Sequence, residues 1–209
     1  MVNEPDDTLL ERLRRGDGAA FEQLFVRHYS RVYRVLYGLL GGREAAEDLA
    51  QETFLELYRH APGVHAGATL AAWLCRVALT KGYNSLRGER RARQRLERFA
   101  VAREEDDPQD ELVRSEERAL VREVLARLPE RQSRLLLLRH AGLSLAEVAS
   151  ALEVAPGSVG TLLVRAERAF ANAYKIMDGG GMANGGGAGR GAPSAGSNNL
   201  LGFQKATNK

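Results

Sequence analysis

The chain has 209 residues, of which 44% are hydrophobic and 27% are charged, so it can bury one or two small cores. No apolar run approaches the roughly 18 residues that cross a bilayer, and the acidic start at Met1–Asp7 is unlike a signal peptide. We therefore expect a cytoplasmic protein. The single cysteine, Cys75, excludes an intramolecular disulfide and fits a reducing compartment.

The formal net charge of +3 hides a strong segregation of charge along the chain. Residues 81–98 contain seven basic and two acidic side chains, whereas residues 103–117 contain eight acidic and two basic ones. A basic segment beside an acidic one suits a protein that touches nucleic acid at one face. Two solvated surfaces would explain the same charges.

Three helices are predicted in the first 60 residues, because apolar side chains recur every three or four positions. A short helix over Thr8–Arg15 ends at Gly16, and Asp17 caps a second helix that ends at Gly41–Gly42. The core candidates of the second helix are Phe21, Leu24, Phe25, Val32, Val35, Leu36 and Leu39. A third helix runs from about Arg43 to His60.

The third helix has two distinct faces at 100° per residue. Its core face is predicted to consist of Ala46, Ala50, Thr53, Phe54 and Leu57. The opposite face carries Asp48, Gln51, Glu52, Leu55 and Arg59. This second face is a compact anionic patch suited to a basic partner, and the apolar Leu55 within it favours a contact. Taken alone, the pattern is more often an ordinary solvated face.

A loop over Pro62–Ala68 leads to a fourth helix, predicted from about Thr69 past Arg90. Its core candidates are Trp73, Leu74, Val77 and Leu86. Trp73 could instead stack on a nucleic-acid base, but its apolar neighbours favour the core. The four helices are expected to form one domain over residues 1–99.

Two segments are predicted to lack folded structure. Residues 100–111 have almost no apolar content around Glu104–Pro108 and are expected to be a flexible linker. Residues 179–209 consist mostly of Gly, Ala, Ser and Asn, which cannot bury enough surface to fold, and are expected to be a disordered tail.

A second helical domain is predicted over residues 112–178. One helix covers Leu112–Leu128 and stops at Pro129, and another covers Glu130–Ala141 and ends at Gly142.

A helix-turn-helix follows. Ser144 and Glu147 form a capping box that fixes the start of its first helix, whose inner stripe is Val148, Ala149 and Leu152. Ala155–Ser158 breaks the chain, with Pro156 acceptable in the first turn of the helix over Ser158–Phe170. That helix would place its N-terminal residues in the major groove. The candidate DNA contacts are Ser158, Gly160, Thr161, Arg165 and Arg168. The alternative is an ordinary helical hairpin.

Metal and catalytic chemistry find little support in the sequence. The side chains that could bind a metal lack metal-ligand spacing; they are His28, His60, His65, Cys75 and His140. No convincing strand precedes a glycine-rich phosphate loop. An enzyme acting on nucleic acids would need a carboxylate or metal cluster, so we expect no enzyme activity and no cofactor.

Taken together, these residues resemble the extracytoplasmic-function (ECF) group of bacterial sigma factors over roughly residues 10–175. Asp48–Tyr58 resembles the helix that binds core RNA polymerase, and Ala72–Ala78 with Leu86-Arg87 resembles the helix beside the promoter minus-ten element. Three further segments resemble the domain that binds the minus-thirty-five element: Leu128–Gln132, Leu135–Arg139 and Gly142–Ala149.

The resemblance implies an all-α protein of two helical domains on a flexible linker, which directs core polymerase to promoters and nucleates melting. It implies that a basic coiled coil of polymerase binds Asp48, Gln51, Glu52 and Leu55. The residues implied for the minus-ten element are Gly63, His65, Thr69, Lys81, Arg87, Arg90 and Arg91. The family is also commonly inhibited by an anti-sigma factor, and we expect no membrane contact of the chain's own.

The chain departs from the family pattern at several positions. The recognition helix has Gly160 and Leu162 where basic residues are usual, and the tight turn has Glu153 where glycine is usual. Thr80 and Asn84 stand where the family often has Asn and Asp. An autonomous helix-turn-helix regulator is the alternative function, and it would bind duplex DNA without polymerase.

Overall fold

The computed structural model describes residues 4–61, 69–97 and 112–180, and these are helical without a strand. The helices are α1 Asp6–Arg14, α2 Gly18–Leu40, α3 Arg43–Arg59, α4 Leu70–Glu97, α5 Leu112–Arg127, α6 Glu130–His140, α7 Leu145–Leu152 and α8 Val159–Gly180. The all-α prediction is confirmed. We call α1–α4 the first helical unit and α5–α8 the second. The predicted loop 62–68 and the predicted linker 100–111 lie outside the described residues. So does the predicted tail 179–209, except for Gly179 and Gly180, which are helical and end α8.

Local capping explains where the first two helices begin and end. The Asp17 carboxylate accepts hydrogen bonds from the backbone N–H groups of Ala19 (2.9 Å) and Ala20 (3.4 Å), which would otherwise be unpaired at the start of α2. Gly41 closes α2 at φ 80°, a left-handed conformation that favours glycine. Helix α1 begins at Asp6, two residues before the predicted start at Thr8.

The first core lies between α1, α2, α3 and the N-terminal half of α4. Its buried residues are Leu9, Leu10, Leu13, Ala20, Leu24, Val32, Leu36, Ala46, Ala50, Phe54, Leu57, Leu70, Leu74 and Ala78. Five aromatic side chains at every fourth position of α2, from Phe21 to Tyr37, run beside this core with neighbouring ring centroids 4.9–6.2 Å apart. Trp73 packs against the same core, as predicted.

The second core contains residues from both helical units. Leu135, Leu137, Leu138, Leu143, Val148 and Val159 of the second unit are buried in one cluster with Val35, Ala72, Cys75 and Leu79 of the first. Close approach is visible at Gly38 of α2, where an added Cβ would lie 2.9 Å from Leu137 Cδ2. The described parts of the two units are therefore packed against each other, a contact that the sequence did not predict.

Helix α8 continues ten residues past its predicted end at Phe170, and it packs against α5. No single helix of the described ranges is both long and apolar enough to cross a membrane, and only α7 and α8 together, bent by 110°, pass by length and composition.

Candidate partner and nucleic-acid interfaces

The two faces predicted for α3 are both found in the structure. All five predicted core residues of this helix are buried, including Phe54 at 1% exposure. Asp48, Gln51 and Glu52 are exposed on the other side, and Leu55 between them is 47% exposed. An apolar side chain among exposed acids gives a surface suited to a basic helix with an apolar stripe.

Tyr58 extends this anionic face and was not singled out from the sequence. It lies one helical turn beyond Leu55, is 56% exposed, and meets Phe21 edge-on with ring centroids 5.4 Å apart. Its four-residue spacing from Phe54 is equally typical of a core position. Because the ring is held from one side and open on the other, it adds apolar area next to Leu55.

Lys81 of α4 lies directly beside the anionic face of α3. Lys81 Nζ lies 3.5 Å from Glu52 Oε2, so the predicted polymerase-binding and DNA-binding residues touch at this point. Arg87, Arg90 and Arg91 are exposed along the same helix. These three arginines lie within about one helical turn of each other, and we call them the basic face of α4. Exposed arginines so placed suit contacts with a phosphate backbone.

The three remaining residues predicted for the minus-ten element have different outcomes. Gly63 and His65 lie outside the described residues. The Thr69 hydroxyl accepts a hydrogen bond from Ala72 N–H (3.2 Å), which caps α4, and donates one to Glu147 Oε1 of α7 (3.1 Å). Thr69 is therefore engaged with the second helical unit.

The helix-turn-helix has the predicted capping box. Ser144 Oγ accepts from Glu147 N–H (3.2 Å), and a Glu147 carboxylate oxygen accepts from Ser144 N–H (2.8 Å). Glu153 follows the last residue of α7 and caps the helix with φ 55°. Among the described residues it is the one non-glycine residue in the left-handed region. A residue with a side chain is strained there by about 1–2 kcal/mol.

A 3-10 turn at Pro156–Ser158 leads from α7 into α8. The hydroxyl of Ser158, a predicted DNA contact, donates a hydrogen bond to Ala155 O (2.7 Å) within the turn. Its proton is therefore used in the turn, while its oxygen can still accept a hydrogen bond. The other predicted contacts are exposed on α8; they are Gly160, Thr161, Arg165 and Arg168. These exposed residues are accessible to DNA. Arg165 and Arg168 lie roughly two helical turns from the start of α8.

Contacts between the two units involve charged residues that the sequence analysis missed. The Arg76 guanidinium of α4 pairs with the Glu153 carboxylate, and Arg87 Nη2 lies 4.0 Å from Glu130 Oε1. The Arg134 guanidinium carbon of α6 lies 4.9 Å from the centroid of the Tyr83 ring of α4. These partners are separated by 43 to 77 positions along the chain, so no local sequence pattern could have paired them.

Two pKa shifts report on the same contact. Partial burial alone would raise the pKa of Glu147, but hydrogen bonds from Ser144 and Thr69, with the charge of Arg31, lower it below its usual value. Burial raises the pKa of the Cys75 thiol to about 12, and the negative charge of Glu147 acts in the same direction. Both groups therefore lie where α4 and α7 meet. Within residues 4–61, 69–97 and 112–180 no cluster of side chains could hold a metal ion.

Comparison with known proteins connects these faces. Sigma-70 region 2 matches residues 24–92, and sigma-70 region 4 matches residues 118–170. The ECF sigma factor BldN of Streptomyces coelicolor is 33% identical over 167 residues, which cover 78% of this chain and 63% of BldN. The ECF sigma-E factor of Haemophilus influenzae is 28% identical over 178 residues, covering 80% of this chain and 94% of that protein. The chain belongs to the ECF group of RNA polymerase sigma factors.

Other relatives of this sigma factor agree. The sigma-H factor of Pseudomonas aeruginosa is 27% identical over 188 residues, covering 85% of this chain and 97% of that one. CnrH, solved with the cytosolic domain of CnrY, has the same fold with a TM-score of 0.58 at 22% identity, over 84% of this chain and 99% of CnrH. RpoE of Bartonella quintana, solved with the anti-sigma factor NepR, gives 0.54 at 20% identity, over 75% and 97%.

Most of α2, all of α3 and most of α4 fall within the region 2 match of this sigma factor, and α7 with the first half of α8 falls within its region 4 match. The anionic and basic faces described above therefore belong to one type of module, and the exposed arginines of α8 to another. Sigma factors are in general non-catalytic initiation factors.

Proposed function

We propose that this sigma factor uses three separate surfaces to bring core RNA polymerase to promoters. The anionic face of α3 binds polymerase, the basic face of α4 follows the minus-ten element, and the start of α8 reads the minus-thirty-five element. The observation that carries the proposal is the sorting of α3, in which every predicted inner residue is buried while Asp48, Gln51, Glu52 and Leu55 are exposed.

Charge complementarity supports the assignment of α3 to polymerase. A basic coiled coil would meet Asp48 and Glu52 across an interface centred on Leu55 and Tyr58, both of which offer apolar area. Opposed charges steer association, and an apolar centre excludes water from them. The polymerase-binding role of these residues therefore has both an electrostatic and a hydrophobic part.

Promoter opening needs binding energy from α4 rather than covalent chemistry. Extruding a minus-ten base costs a few kcal/mol. Phosphate contacts by Arg87, Arg90 and Arg91 can offset that cost while polymerase holds the duplex. Gly63 and His65, in the segment before α4, would complete the base pocket. In this role the chain is not itself an enzyme and acts in the cytoplasm, where polymerase and promoter DNA are found.

The proposal assigns region 2 to residues 1–99 and region 4 to residues 112–178, joined by the linker at 100–111. An anti-sigma factor is a further partner that we include, since CnrH and the Bartonella RpoE were each solved with a bound protein. The tail at 179–209 has no assigned role.

The test is reconstitution with bacterial core RNA polymerase, scored by co-elution in size-exclusion chromatography and by a titration. The variant Asp48→Lys with Glu52→Lys should lose at least about 100-fold in affinity, because juxtaposed like charges cost several kcal/mol. A matched control is Glu11→Lys with Glu116→Lys, which makes the same change of charge at exposed positions of α1 and α5.

Equal loss in both double variants would contradict the assignment, since net charge alone would then explain the effect. If the wild-type chain ignores polymerase but binds duplex DNA, the alternative of an autonomous regulator replaces the proposal. A circular-dichroism melt of each variant checks that the fold is retained.

A further inference from the structure

One face of α4 is covered by the second helical unit over much of its length. At its start Thr69 donates to Glu147, one and two turns later Ala72 and Arg76 meet α7 and its turn, and further along Arg87 approaches Glu130. Polar contacts thus occur at both ends and in the middle of the covered face. A contact repeated along several turns fixes the relative position of the two helices.

The contact also has an apolar centre. Ala72, Cys75 and Leu79 are each 1% exposed. They belong to the same hydrophobic cluster as Leu138 and Val148 of the second unit. Small side chains on α4 allow the two units to approach closely. Separating the units would expose these residues to water, which is unfavourable in proportion to the apolar area uncovered.

Glu153 is the residue whose presence the local turn does not explain. Its φ of 55° is better suited to glycine, so the helix-turn-helix by itself would be more stable without this side chain. The carboxylate makes an ion pair with Arg76 of α4. The strain at Glu153 is local, whereas the ion pair joins the two units. We therefore assign the Glu153 side chain a role in the contact between the units.

Reading a promoter is incompatible with this contact. Elements at minus ten and minus thirty-five lie about 25 base pairs apart, or roughly 85 Å along the duplex at about 3.4 Å per base pair. Helix α4 and the helix-turn-helix touch each other directly. The two units must therefore separate before both elements can be bound at once.

We propose that the covered face of α4 is a binding surface for the helix-turn-helix of the same chain, and that the Arg76–Glu153 pair holds the free sigma factor closed. The inference rests on the proposed promoter function and adds a regulation of it. In the closed form, Thr69 and Arg87 contact Glu147 and Glu130, and these contacts compete with contacts to DNA. Binding of polymerase and promoter then competes with an intramolecular contact.

The single cysteine provides a built-in reporter of opening. Cys75 is 1% exposed within the contact, and its thiol is protected by burial. We would measure the rate at which Ellman's reagent labels the free wild-type chain and its variants, without polymerase or DNA. Opening exposes the thiol and lowers its pKa towards the usual value, so both effects accelerate labelling.

The variant Glu153→Gly removes the carboxylate while relieving the left-handed strain. Labelling should accelerate about three- to ten-fold, a modest factor because a single exposed ion pair is weak. The melting temperature should not fall, because the variant also relieves the backbone strain. Arg76→Glu should accelerate it similarly, and the charge swap Arg76→Glu with Glu153→Arg should restore a rate near wild type. Glu123→Gln is the matched control, because Glu123 pairs with Arg127 within α5.

Binding of a fluorescent duplex oligonucleotide at low salt completes the test. If closure masks the DNA-binding face, Glu153→Gly should lower the apparent Kd by the factor seen in labelling, because affinity scales with the open fraction. Unchanged labelling in Glu153→Gly and Arg76→Glu, or equal acceleration in Glu123→Gln, would overturn the proposal. Faster labelling with unchanged DNA affinity would overturn it too.

Failure of this inference is distinguishable from failure of the proposed function. Co-elution of the wild-type chain with polymerase tests the function and does not depend on Cys75. Labelling of the free chain tests the closed contact and does not depend on polymerase.

Discussion

The anionic face of α3 is open to solvent, whereas one side of the neighbouring helix α4 contacts the second helical unit. Asp48, Gln51 and Leu55 are open to solvent, whereas Thr69, Arg76 and Arg87 contact the second helical unit. Under the proposed assignments, the difference implies an order of events: polymerase can bind α3 while the chain is closed, whereas binding of both promoter elements needs the open form. The proposal therefore predicts that the free chain binds promoter DNA more weakly than its complex with polymerase does.

The inner and outer sides of α3 provide the largest expected contrast. Phe54→Ala should lower the free energy of unfolding by about 3–5 kcal/mol, because a buried aromatic side chain leaves a cavity. Leu55→Ala, at the adjacent position, should change it by no more than about 0.5 kcal/mol. Urea denaturation of both variants measures the two values. A large decrease in Leu55→Ala would show that the outer face is structural rather than free for polymerase.

The start of α8 is a second uncovered face, and its arginines should matter only for DNA. Arg165→Ala with Arg168→Ala should weaken promoter binding by the polymerase complex by about 1–3 kcal/mol. The slope of log K against log salt should become less steep by about 0.9 for each phosphate that is no longer neutralised. Anisotropy titrations at several salt concentrations give both numbers. Unaltered slope would mean that these side chains do not bind phosphates, and slower or faster Cys75 labelling would link them to the covered face instead.

Acid should loosen the contact between α4 and α7. The pKa of Glu147 is lower in the folded chain than its ordinary value of 4.5, because Ser144 and Thr69 donate to the charged form despite partial burial. Its contribution to stability is therefore fully present above the ordinary pKa and is lost as pH falls through the folded one. Melting temperatures of wild type should fall more steeply than those of Glu147→Gln below about pH 4.5. Parallel curves would contradict this assignment.

Much of the fold could be predicted because its signals are local. The sorting of α3 follows from helical periodicity, the capping box from Ser144 and Glu147, and the end of α2 from Gly41. Each depends on residues within a few positions of one another. The predicted roles of the DNA-binding and polymerase-binding residues remain predictions, although their exposure on α3, α4 and α8 is as expected.

The packing of one unit on the other could not be predicted in the same way. Arg76 and Glu153 are 77 positions apart, and nothing near either residue identifies its partner. Glu153 did stand out as an unusual residue for a tight turn, but only the position of α4 gives that oddity a reason. Tyr58 was missed because its spacing from Phe54 matches a buried stripe, while the structure leaves more than half of it exposed.

The row of aromatic rings along α2 makes the two halves of the molecule optically unequal. Trp73 and the tyrosines at 29, 33, 37, 58 and 83 all belong to the first helical unit, and the second contains Tyr174. Near-ultraviolet circular dichroism and tyrosine-to-tryptophan energy transfer will consequently follow the melting of α1–α4, whereas far-ultraviolet signals follow both units. A mismatch between the two curves would be the spectroscopic signature of a helix-turn-helix that unfolds on its own.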